Sequence, residues 1–179
     1  NKPRAMLPPF NLKHWIDTNR DKLKPPVSNK NLYHEAGDFI VMVVAGPNAR
    51  KDYHYNESEE LFYQLEGDIT VRIQHEGKPK DILIREGDMF LLPAKTPHSP
   101  MRGENTIGLV IERVRKGTTL KDGLFWFCEN CNRELKAYRF FLENIEKDFI
   151  PRFKEFYGSE EMRTCEKCGH VMATDPRFA

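Results

Sequence analysis

The chain has 179 residues, 39% of them hydrophobic and 31% charged, which is the composition of a globular protein with a sizeable core. Lys and Arg together number 28 and Asp and Glu number 27, so the formal net charge is +1. This balance excludes a general electrostatic attraction to nucleic acid or to an anionic membrane, and any partner has to be inferred from local sites.

The N-terminal residues predict a short amphipathic helix. Residues 10–24 read FNLKHWIDTNRDKLK and are followed by Pro25 and Pro26, which end a helix because proline lacks the N–H that the next hydrogen bond needs. One face of this predicted helix carries the apolar residues Leu12, Trp15, Ile16 and Leu23.

After the helix, the sequence changes to runs that are typical of strands. They are rich in Val, Ile, Leu and Phe and are separated by Gly, Pro and Asp turns. The runs are FIVMVVAG, ELFYQLEG, ITVRIQHEG, DILIREG, MFLLPA and TIGLVIERV. Strands at this regular spacing favour an antiparallel sandwich or barrel.

Beyond Gly123 the sequence again predicts a helix. Residues 134–157 read ELKAYRFFLENIEKDFIPRFKEFY, with apolar side chains at helical spacing and a break at Pro151. We therefore expect a mainly β protein: residues 1–123 form an antiparallel β-barrel with the N-terminal helix, and residues 124–179 form a helical extension packed on the same domain.

Two glycine-punctuated segments carry candidate metal ligands. The first holds His54 and Glu60 and ends at Gly67, and the second, GDMFLLPAKTPH, ends at His98. In both segments the candidate ligands lie at the edge of a predicted strand, where a barrel points side chains inward. Two imidazoles and one carboxylate can bind Fe(II) and leave coordination positions open for a substrate and dioxygen.

These segments resemble the two sequence motifs of the cupin superfamily, whose fold is a small β-barrel also described as a jelly roll or double-stranded β-helix. The resemblance implies one metal ion inside the barrel. In the commonest cupin pattern a second histidine stands where this chain has Asn56, which is a poorer ligand. We interpret Glu57 and Glu59 as solvated neighbours of Glu60. The remaining histidines are interpreted as surface or satisfied residues: His14, His34, His75 and His170.

Charged residues near these segments predict an anionic substrate. Arg50 and Arg102 each lie four residues from a candidate histidine, and Glu112 ends the apolar run TIGLVIE. A planar guanidinium binds a carboxylate through paired hydrogen bonds, and a glutamate inside an apolar strand needs a polar partner. We expect the two arginines after Glu112 to be solvated: Arg113 and Arg115.

The four cysteines form two CxxC pairs, Cys128 with Cys131 and Cys165 with Cys168. No run in the chain suits a secretory signal or a transmembrane helix, so we expect a cytoplasmic protein, in which such pairs favour metal thiolates over disulfides. The spacing predicts a four-sulfur site for Zn(II) or a single Fe that pins the extension to the barrel. Electron transfer and a nucleic-acid-binding ribbon are the alternatives, and mixed charges around the cysteines disfavour the ribbon.

Several stretches along nearly the whole chain together resemble the 3-hydroxyanthranilate 3,4-dioxygenase family, in its form with a rubredoxin-like extension. They are GPNARKDYH, EELFYQLEG, EGDMFLLP, PHSPMR, VIER and the two CxxC pairs. The resemblance implies that His54, Glu60 and His98 hold catalytic Fe(II), with a second Fe or Zn at the cysteines. It also implies a homodimer.

For the substrate, the same resemblance implies that Arg50, Arg102 and Glu112 bind 3-hydroxyanthranilate. Dioxygen then opens the ring between C3 and C4, and the product, 2-amino-3-carboxymuconate semialdehyde, cyclises to quinolinate, a precursor of NAD. Two other hypotheses remain: a cupin-type binding or sensor protein for a small anion, without catalysis, and a cupin dioxygenase for another small molecule such as a thiol. The sensor is disfavoured because the chain shows no output module such as a helix-turn-helix.

Overall fold

A computed structural model describes residues 6–25, 28–35 and 37–179. The helices in these ranges are α1 Leu12–Asn19, α2 Ile145–Asp148, α3 Ile150–Tyr157 and α4 Glu160–Arg163, and a 3-10 turn, Arg20–Lys22, follows α1. The strands are β1 Asn29–Asn31, β2 Phe39–Ala45, β3 Tyr53–Asn56, β4 Glu60–Glu66, β5 Ile69–His75, β6 Lys78–Ile84, β7 Met89–Leu92, β8 His98–Arg102, β9 Ile107–Arg113, β10 Asp122–Phe127 and β11 Glu134–Phe140. Of the helices described, none has the length and apolar character needed to cross a membrane.

The strands form two antiparallel sheets that pack face to face. The five-stranded sheet has the order β1-β2-β9-β4-β7, and the six-stranded sheet has the order β11-β10-β3-β8-β5-β6. This is the two-sheet arrangement of a jelly roll, and the predicted mainly β class is confirmed. Apolar side chains from both sheets share one core: Val44, Phe62, Leu92 and Val110 from the first sheet, and Ile69, Val71, Ile73 and Ile84 from the second.

The N-terminal helix forms as predicted and covers one end of the five-stranded sheet. Asn11 caps it, because its side-chain oxygen accepts a hydrogen bond from the His14 N–H at 2.8 Å. The predicted apolar face packs against strands β2 and β9 through Ile16 and Leu23, which are buried. The helix ends before Pro25, and Pro26 lies outside the described residues.

Residues 134–140 are strand β11, so the first part of the predicted C-terminal helix is wrong. Strand β11 pairs along its length with β10, with Leu124 opposite Tyr138 and Asp122 opposite Phe140. The partner strand supplies ladder hydrogen bonds along most of β11, with one irregularity near Phe127, and Phe140 becomes buried. These gains outweigh the weak local helix propensity of seven residues.

The rest of the predicted helix is present as α2 and α3. Asn144 caps α2 by accepting a hydrogen bond from the Lys147 N–H at 3.1 Å. The two helices meet at Phe149, two residues before the predicted break at Pro151. Pro151 lies in the first turn of α3, where a missing N–H costs no intrahelical hydrogen bond, so it begins a helix instead of ending one.

An aromatic cluster packs these helices onto strand β10. The Trp126 ring stacks on Phe156 with centroids 4.2 Å apart, and its Nε1 donates a hydrogen bond to the Tyr157 hydroxyl at 3.2 Å. Leu124 pairs opposite His54 of β3, so alternation places Leu124 and Trp126 on the face of the sheet that carries His54. The helices therefore cover the inner face of the six-stranded sheet next to this histidine.

Candidate active site and metal centres

The three candidate ligands of the first metal site come from both sheets and meet in the interior. His54 in β3 lies directly opposite His98 in β8, within the six-stranded sheet. Glu60 begins β4 of the five-stranded sheet and lies opposite Glu112 in β9. Because side chains alternate along a strand, these pairings turn two imidazoles and two carboxylates toward each other.

The ligand atoms of His54, Glu60 and His98 all lie within 4.8 Å of one another. Glu60 Oε2 is 2.7 Å from His98 Nε2 and 3.7 Å from His54 Nδ1. Burial alone would raise the pKa of Glu60, but the nearby His98 and His54 lower it to about 2, so its carboxylate is ionised. His98 Nδ1 lies 2.9 Å from the Thr96 carbonyl, which leaves Nε2 directed at the site.

This group fits a divalent cation. Glu60 Oε2 is buried and, within the described part of the chain, has no hydrogen-bond donor with acceptable geometry, although His98 lies close to it. A buried carboxylate oxygen without a donor is unfavourable, and two imidazole nitrogens beside it complete the donor set of a metal site. The site can bind a metal through these three groups.

Asn56 takes no part in the ligand set because its side chain is already satisfied. Its Oδ1 accepts hydrogen bonds from the backbone N–H and the hydroxyl of Ser58, both at 2.8 Å. Its Nδ2 donates to Glu112 Oε2 at 3.2 Å. Asn56 thus stabilises the turn after β3 and orients the second carboxylate.

Glu112 lies beside the three ligands and is 8% exposed. Burial, together with the negative charge of Glu60, raises the pKa of Glu112 to about 7. Arg115 Nη1 donates to Glu112 Oε2 at 3.0 Å and limits this rise. Glu112 therefore remains a buried polar group that can bind a hydrogen-bond donor from a ligand.

Arg102 is buried in the interior, and none of the acidic side chains in the described part of the chain pairs with it. It lies on the same face of β8 as His98, about 13 Å along the strand. It is 5% exposed, its Nη1 has no hydrogen-bond partner among the described residues, and burial lowers its pKa to about 10. A Cβ on Gly108 would lie 2.8 Å from this nitrogen and 2.6 Å from Gln64 Oε1, so the glycine provides the space that the guanidinium occupies.

Among the described residues, Arg50 forms no hydrogen bond or ion pair with the three ligands. Its guanidinium forms an ion pair with Asp52, with Nη2 2.5 Å and Nε 3.1 Å from the carboxylate oxygens. It also lies over the Phe153 ring, 5.8 Å from the centroid. Phe149, 6.1 Å from Phe153 between centroids, separates this arginine from the His54 ring, which lies 5.7 Å from Phe149.

From the sequence, one residue of the site, Arg115, is misjudged and another, Asp122, is missed. Arg115, expected to be solvated, is 4% exposed and binds both oxygens of Asp122, whereas Arg113 is exposed as predicted. Asp122 in turn lies 2.6 Å from His54 Nε2. The available signal was the run DGLFWF, in which an acid opens an apolar strand in the same way that Glu60 opens ELFYQ.

Glu57 also differs from the prediction of a solvated residue. It accepts a hydrogen bond from the Lys121 backbone N–H at 2.5 Å and forms an ion pair with Arg139 at 3.2 Å. These contacts fix the turn after β3 to the chain that enters β10. Glu59 is exposed, as predicted.

The four cysteines form the second group that can bind a metal, with sulfur atoms all within 4.8 Å of one another. Cys128 Sγ lies 3.6 Å from Cys168 Sγ, and Cys131 Sγ lies 3.5 Å from Cys165 Sγ, without any disulfide. Hydrogen bonds from Asn130 and from the His170 backbone lower the pKa of the Cys168 thiol to about 6. The arrangement matches a closed four-thiolate site.

Both CxxC pairs adopt the same loop structure. The N–H four residues after the first cysteine bonds back to its carbonyl, at 2.9 Å for Asn132 to Cys128 and 2.8 Å for Gly169 to Cys165. Asn132 and Gly169 have positive φ values of 64° and 79°, a conformation that glycine and asparagine tolerate best. These residues after each second cysteine therefore close the two loops.

Comparison with known proteins gives the family. The 3-hydroxyanthranilic acid dioxygenase family profile matches residues 5–157. The 3-hydroxyanthranilate 3,4-dioxygenase of Xanthomonas euvesicatoria is 51% identical over 97% of both chains, and that of Bacillus thuringiensis is 46% identical over 93% of this chain and 92% of the relative. Among solved structures, a cupin-2 domain containing protein from Shewanella frigidimarina, 18% identical, overlaps 55% of this chain and 92% of its own with a TM-score of 0.46. The chain belongs to the 3-hydroxyanthranilic acid dioxygenase family.

Proposed function

We propose that this protein is a 3-hydroxyanthranilate 3,4-dioxygenase, which opens the ring of its substrate between C3 and C4 with dioxygen. The product, 2-amino-3-carboxymuconate semialdehyde, would cyclise to quinolinate, a precursor of NAD. Family membership and the names of relatives that match nearly the full chain support this. The observation that carries the proposal is the ligand group His54, Glu60 and His98 in a buried interior that also contains the unpaired Arg102.

We propose Fe(II) as the metal at His54, Glu60 and His98. Held by these three side chains, Fe(II) would supply open coordination positions and redox chemistry for the reaction of the substrate with dioxygen. The protein itself positions the substrate and excludes water from the site. The Phe149 ring lies 5.7 Å from the His54 ring, and the Phe62 ring lies 6.4 Å from the His98 ring, so both imidazoles have apolar neighbours.

We propose that Arg102 binds the substrate carboxylate. A buried guanidinium without a counter-ion is unfavourable, and a carboxylate from the ligand supplies both the charge and the hydrogen-bond acceptors that it lacks. Glu112, near the metal ligands, would accept hydrogen bonds from the amine or hydroxyl group of the substrate. Arg50 would contribute on the carboxylate side, which requires its guanidinium to leave Asp52.

For the four cysteines we propose Zn(II) or a second Fe in a structural role. Residues 124–179 then act as an extension that the metal pins to the barrel domain of residues 1–123. A reciprocal pair of amide hydrogen bonds supports this role, because Asn132, next to Cys131, binds Gln74 of β5 at 2.8 and 3.0 Å. The four free thiols also agree with a cytoplasmic location, since thiolate sites persist in a reducing compartment.

We propose that the protein is a homodimer that buries the outer face of the five-stranded sheet. Leu61 and Tyr63 on β4 lie opposite Leu91 and Met89 on the edge strand β7, and Tyr63, Met89 and Leu91 are exposed. A contiguous apolar face of this kind is typical of an interface. Replacing both Met89 and Leu91 by Lys should convert a dimer into a monomer in sedimentation velocity, and a wild-type monomer would refute this part of the proposal.

An ultraviolet assay tests the function. Protein loaded anaerobically with Fe(II) is mixed with 3-hydroxyanthranilate and then with air-saturated buffer, while absorbance and oxygen are recorded. We expect one oxygen consumed per substrate, the absorbance of the semialdehyde, and its slower conversion to quinolinate. Tight binding of 3-hydroxyanthranilate without oxygen uptake would instead favour a small-anion binding protein.

A further inference from the structure

Asp122 contacts a metal ligand although it belongs to neither the ligand group nor the residues assigned to the substrate. It begins strand β10 and is fully buried. Its Oδ2 lies 2.6 Å from His54 Nε2, on the side of the ring away from Glu60. A buried carboxylate at this distance determines which ring nitrogen of His54 carries the proton.

The contact fixes the tautomer of His54. Arg115 donates to both oxygens of Asp122, so the carboxylate acts as the acceptor in its contact with His54. The proton of a neutral imidazole must then be on Nε2. The lone pair is left on Nδ1, the atom that faces Glu60 at 3.7 Å.

Arg115 holds Asp122 in place. Its Nε and Nη2 donate to the two carboxylate oxygens at 2.5 and 2.9 Å, and both side chains are almost fully buried. The third nitrogen, Nη1, donates to the Arg113 carbonyl at 2.7 Å and to Glu112 at 3.0 Å. The bidentate contact sets the plane of the carboxylate, so the hydrogen bond to His54 has a defined direction.

The charges at the site give a second argument. Glu60, Glu112 and Asp122 are three buried carboxyl groups, and the only buried guanidinium that contacts them in the described chain is that of Arg115. Its guanidinium links Asp122 to Glu112, which lies opposite the ligand Glu60 in the adjacent strand. The ion pair of Asp122 and Arg115 therefore contributes to the electrostatic environment of the metal site, in addition to fixing the loop between β9 and β10.

We propose that Asp122, held by Arg115, is a positioning residue that orients His54 and raises its basicity toward a divalent cation. This rests on the proposed function only in that His54, Glu60 and His98 are taken as the metal ligands. A carboxylate behind a ligating histidine increases metal affinity, and loss of such a partner typically costs about 10- to 100-fold. A purely structural Asp122 would instead affect folding and leave the affinity of the folded protein unchanged.

The test uses full-length protein whose four-cysteine site is filled with Zn(II). Co(II) and Fe(II) affinities are then measured anaerobically by competition with a chelator, and the visible absorption of bound Co(II) reports on its ligands. For Asp122→Asn, which has nearly the same shape, we expect affinities lower by roughly 10- to 100-fold and a shifted Co(II) spectrum. The Zn(II) content at the cysteines should stay at one per chain.

Asp81→Asn is the matched control. Asp81 forms the same kind of bidentate pair, with Arg72 at 2.7 and 3.1 Å, but on the surface and away from the site. We expect wild-type affinities and spectrum. Because Asp122→Asn leaves Arg115 buried without its carboxylate and can misfold, the double variant Arg115→Met with Asp122→Asn removes both members and should show the same loss of affinity.

The possible outcomes separate the two proposals. Wild-type affinity and spectrum in folded Asp122→Asn, or their return in the double variant, would overturn the positioning role. If wild-type protein binds no Co(II) beyond the zinc-filled cysteines, or if Glu60→Ala binds it equally well, the metal site itself is wrong and the proposed function fails.

Discussion

The two metal-binding groups of this protein are built in opposite ways. The four cysteines lie in two short loops of the same structure, each closed by its own backbone hydrogen bonds, and one of them, Cys168, reaches the surface. The three groups of the other site lie on separate strands of two sheets, and their positions depend on the register of both. Each half of the cysteine site therefore follows from local sequence, whereas every ligand pair of the interior site depends on the register of the folded sheets.

The number of ligands and the surrounding charges also differ. Four thiolates complete the coordination of Zn(II) or Fe, which suits a structural site. Two imidazoles and one carboxylate leave positions open, and the interior around them contains Glu112, Arg115 and Asp122. This difference supports the proposed division of roles, with chemistry at the interior site and a structural function at the cysteines, which the following predictions test.

The largest effect is expected from Glu60→Ala. The change leaves two imidazoles, which do not hold the metal in position, so oxygen uptake with 3-hydroxyanthranilate should fall to background while one metal per chain remains at the cysteines. Metal analysis and an oxygen electrode measure both. Glu59→Ala, an exposed neighbour, should behave as wild type. Native turnover by Glu60→Ala would remove the carboxylate from the ligand set.

The second largest effect on activity is expected from Arg102→Ala. Truncating one member of a buried charge pair costs about 2–5 kcal/mol, which corresponds to a loss of roughly thirty- to several-thousand-fold in kcat/KM, mainly through a higher KM. Metal content should not change, because Arg102 contacts none of the three ligands in the structure. Arg113→Ala, at an exposed arginine on β9 of the other sheet, is the control. An unchanged KM would exclude Arg102 as a substrate contact.

Cys165→Ser should act on stability instead of chemistry. Cys165 is buried, and losing its thiolate opens the four-sulfur site, so the free energy of unfolding should fall by at least about 3 kcal/mol, a fraction of the roughly 10–16 kcal/mol typical of structural zinc. The melting temperature should then drop by about 6–12 °C. Well below that temperature, kcat/KM per interior iron should stay within about tenfold of wild type. Complete inactivation of folded, iron-loaded variant would give the cysteine site a direct part in turnover.

The smallest effect is expected from Gly108→Ala. The new Cβ would press on Arg102 Nη1 and on Gln64, both ends of flexible side chains, so the fold should tolerate it while the guanidinium moves. Moving the Arg102 guanidinium from its position should lower kcat/KM by about tenfold. Gly103→Ala has open space around its Cβ and should be silent. Equal kinetics of the two variants would show that the position of Arg102 is not critical.

Much of the fold could be predicted because its signals are local. Apolar runs rich in β-branched residues and bounded by turn residues indicate strands such as β2 and β9, and residue spacing indicates the apolar face of α1. Strand β11 was misassigned because its apolar residues also fit helical spacing, and only pairing with β10, a partner defined by tertiary structure, decides between the two. This pairing is a tertiary contact, and one sequence alone does not reveal it.

The same limit applies to the site. His54, Glu60, His98 and the four cysteines stand at recognisable spacings, so their assembly could be predicted. Arg115 could not, because it stands among other basic residues in ERVRK and only the fold reveals that it enters the interior. Asp122 lies 68 residues after His54, and no local pattern connects the two.

The division of roles between the two sites can be tested most directly by exchanging their metals. One sample carries Zn(II) at the cysteines and Fe(II) at the interior site, and the other carries Fe at the cysteines and Zn(II) at the interior site, with occupancies checked by metal analysis and by the absorption of iron thiolates. We predict oxygen uptake and semialdehyde formation from 3-hydroxyanthranilate in the first sample and none in the second. Turnover that follows the iron at the cysteines would contradict the account.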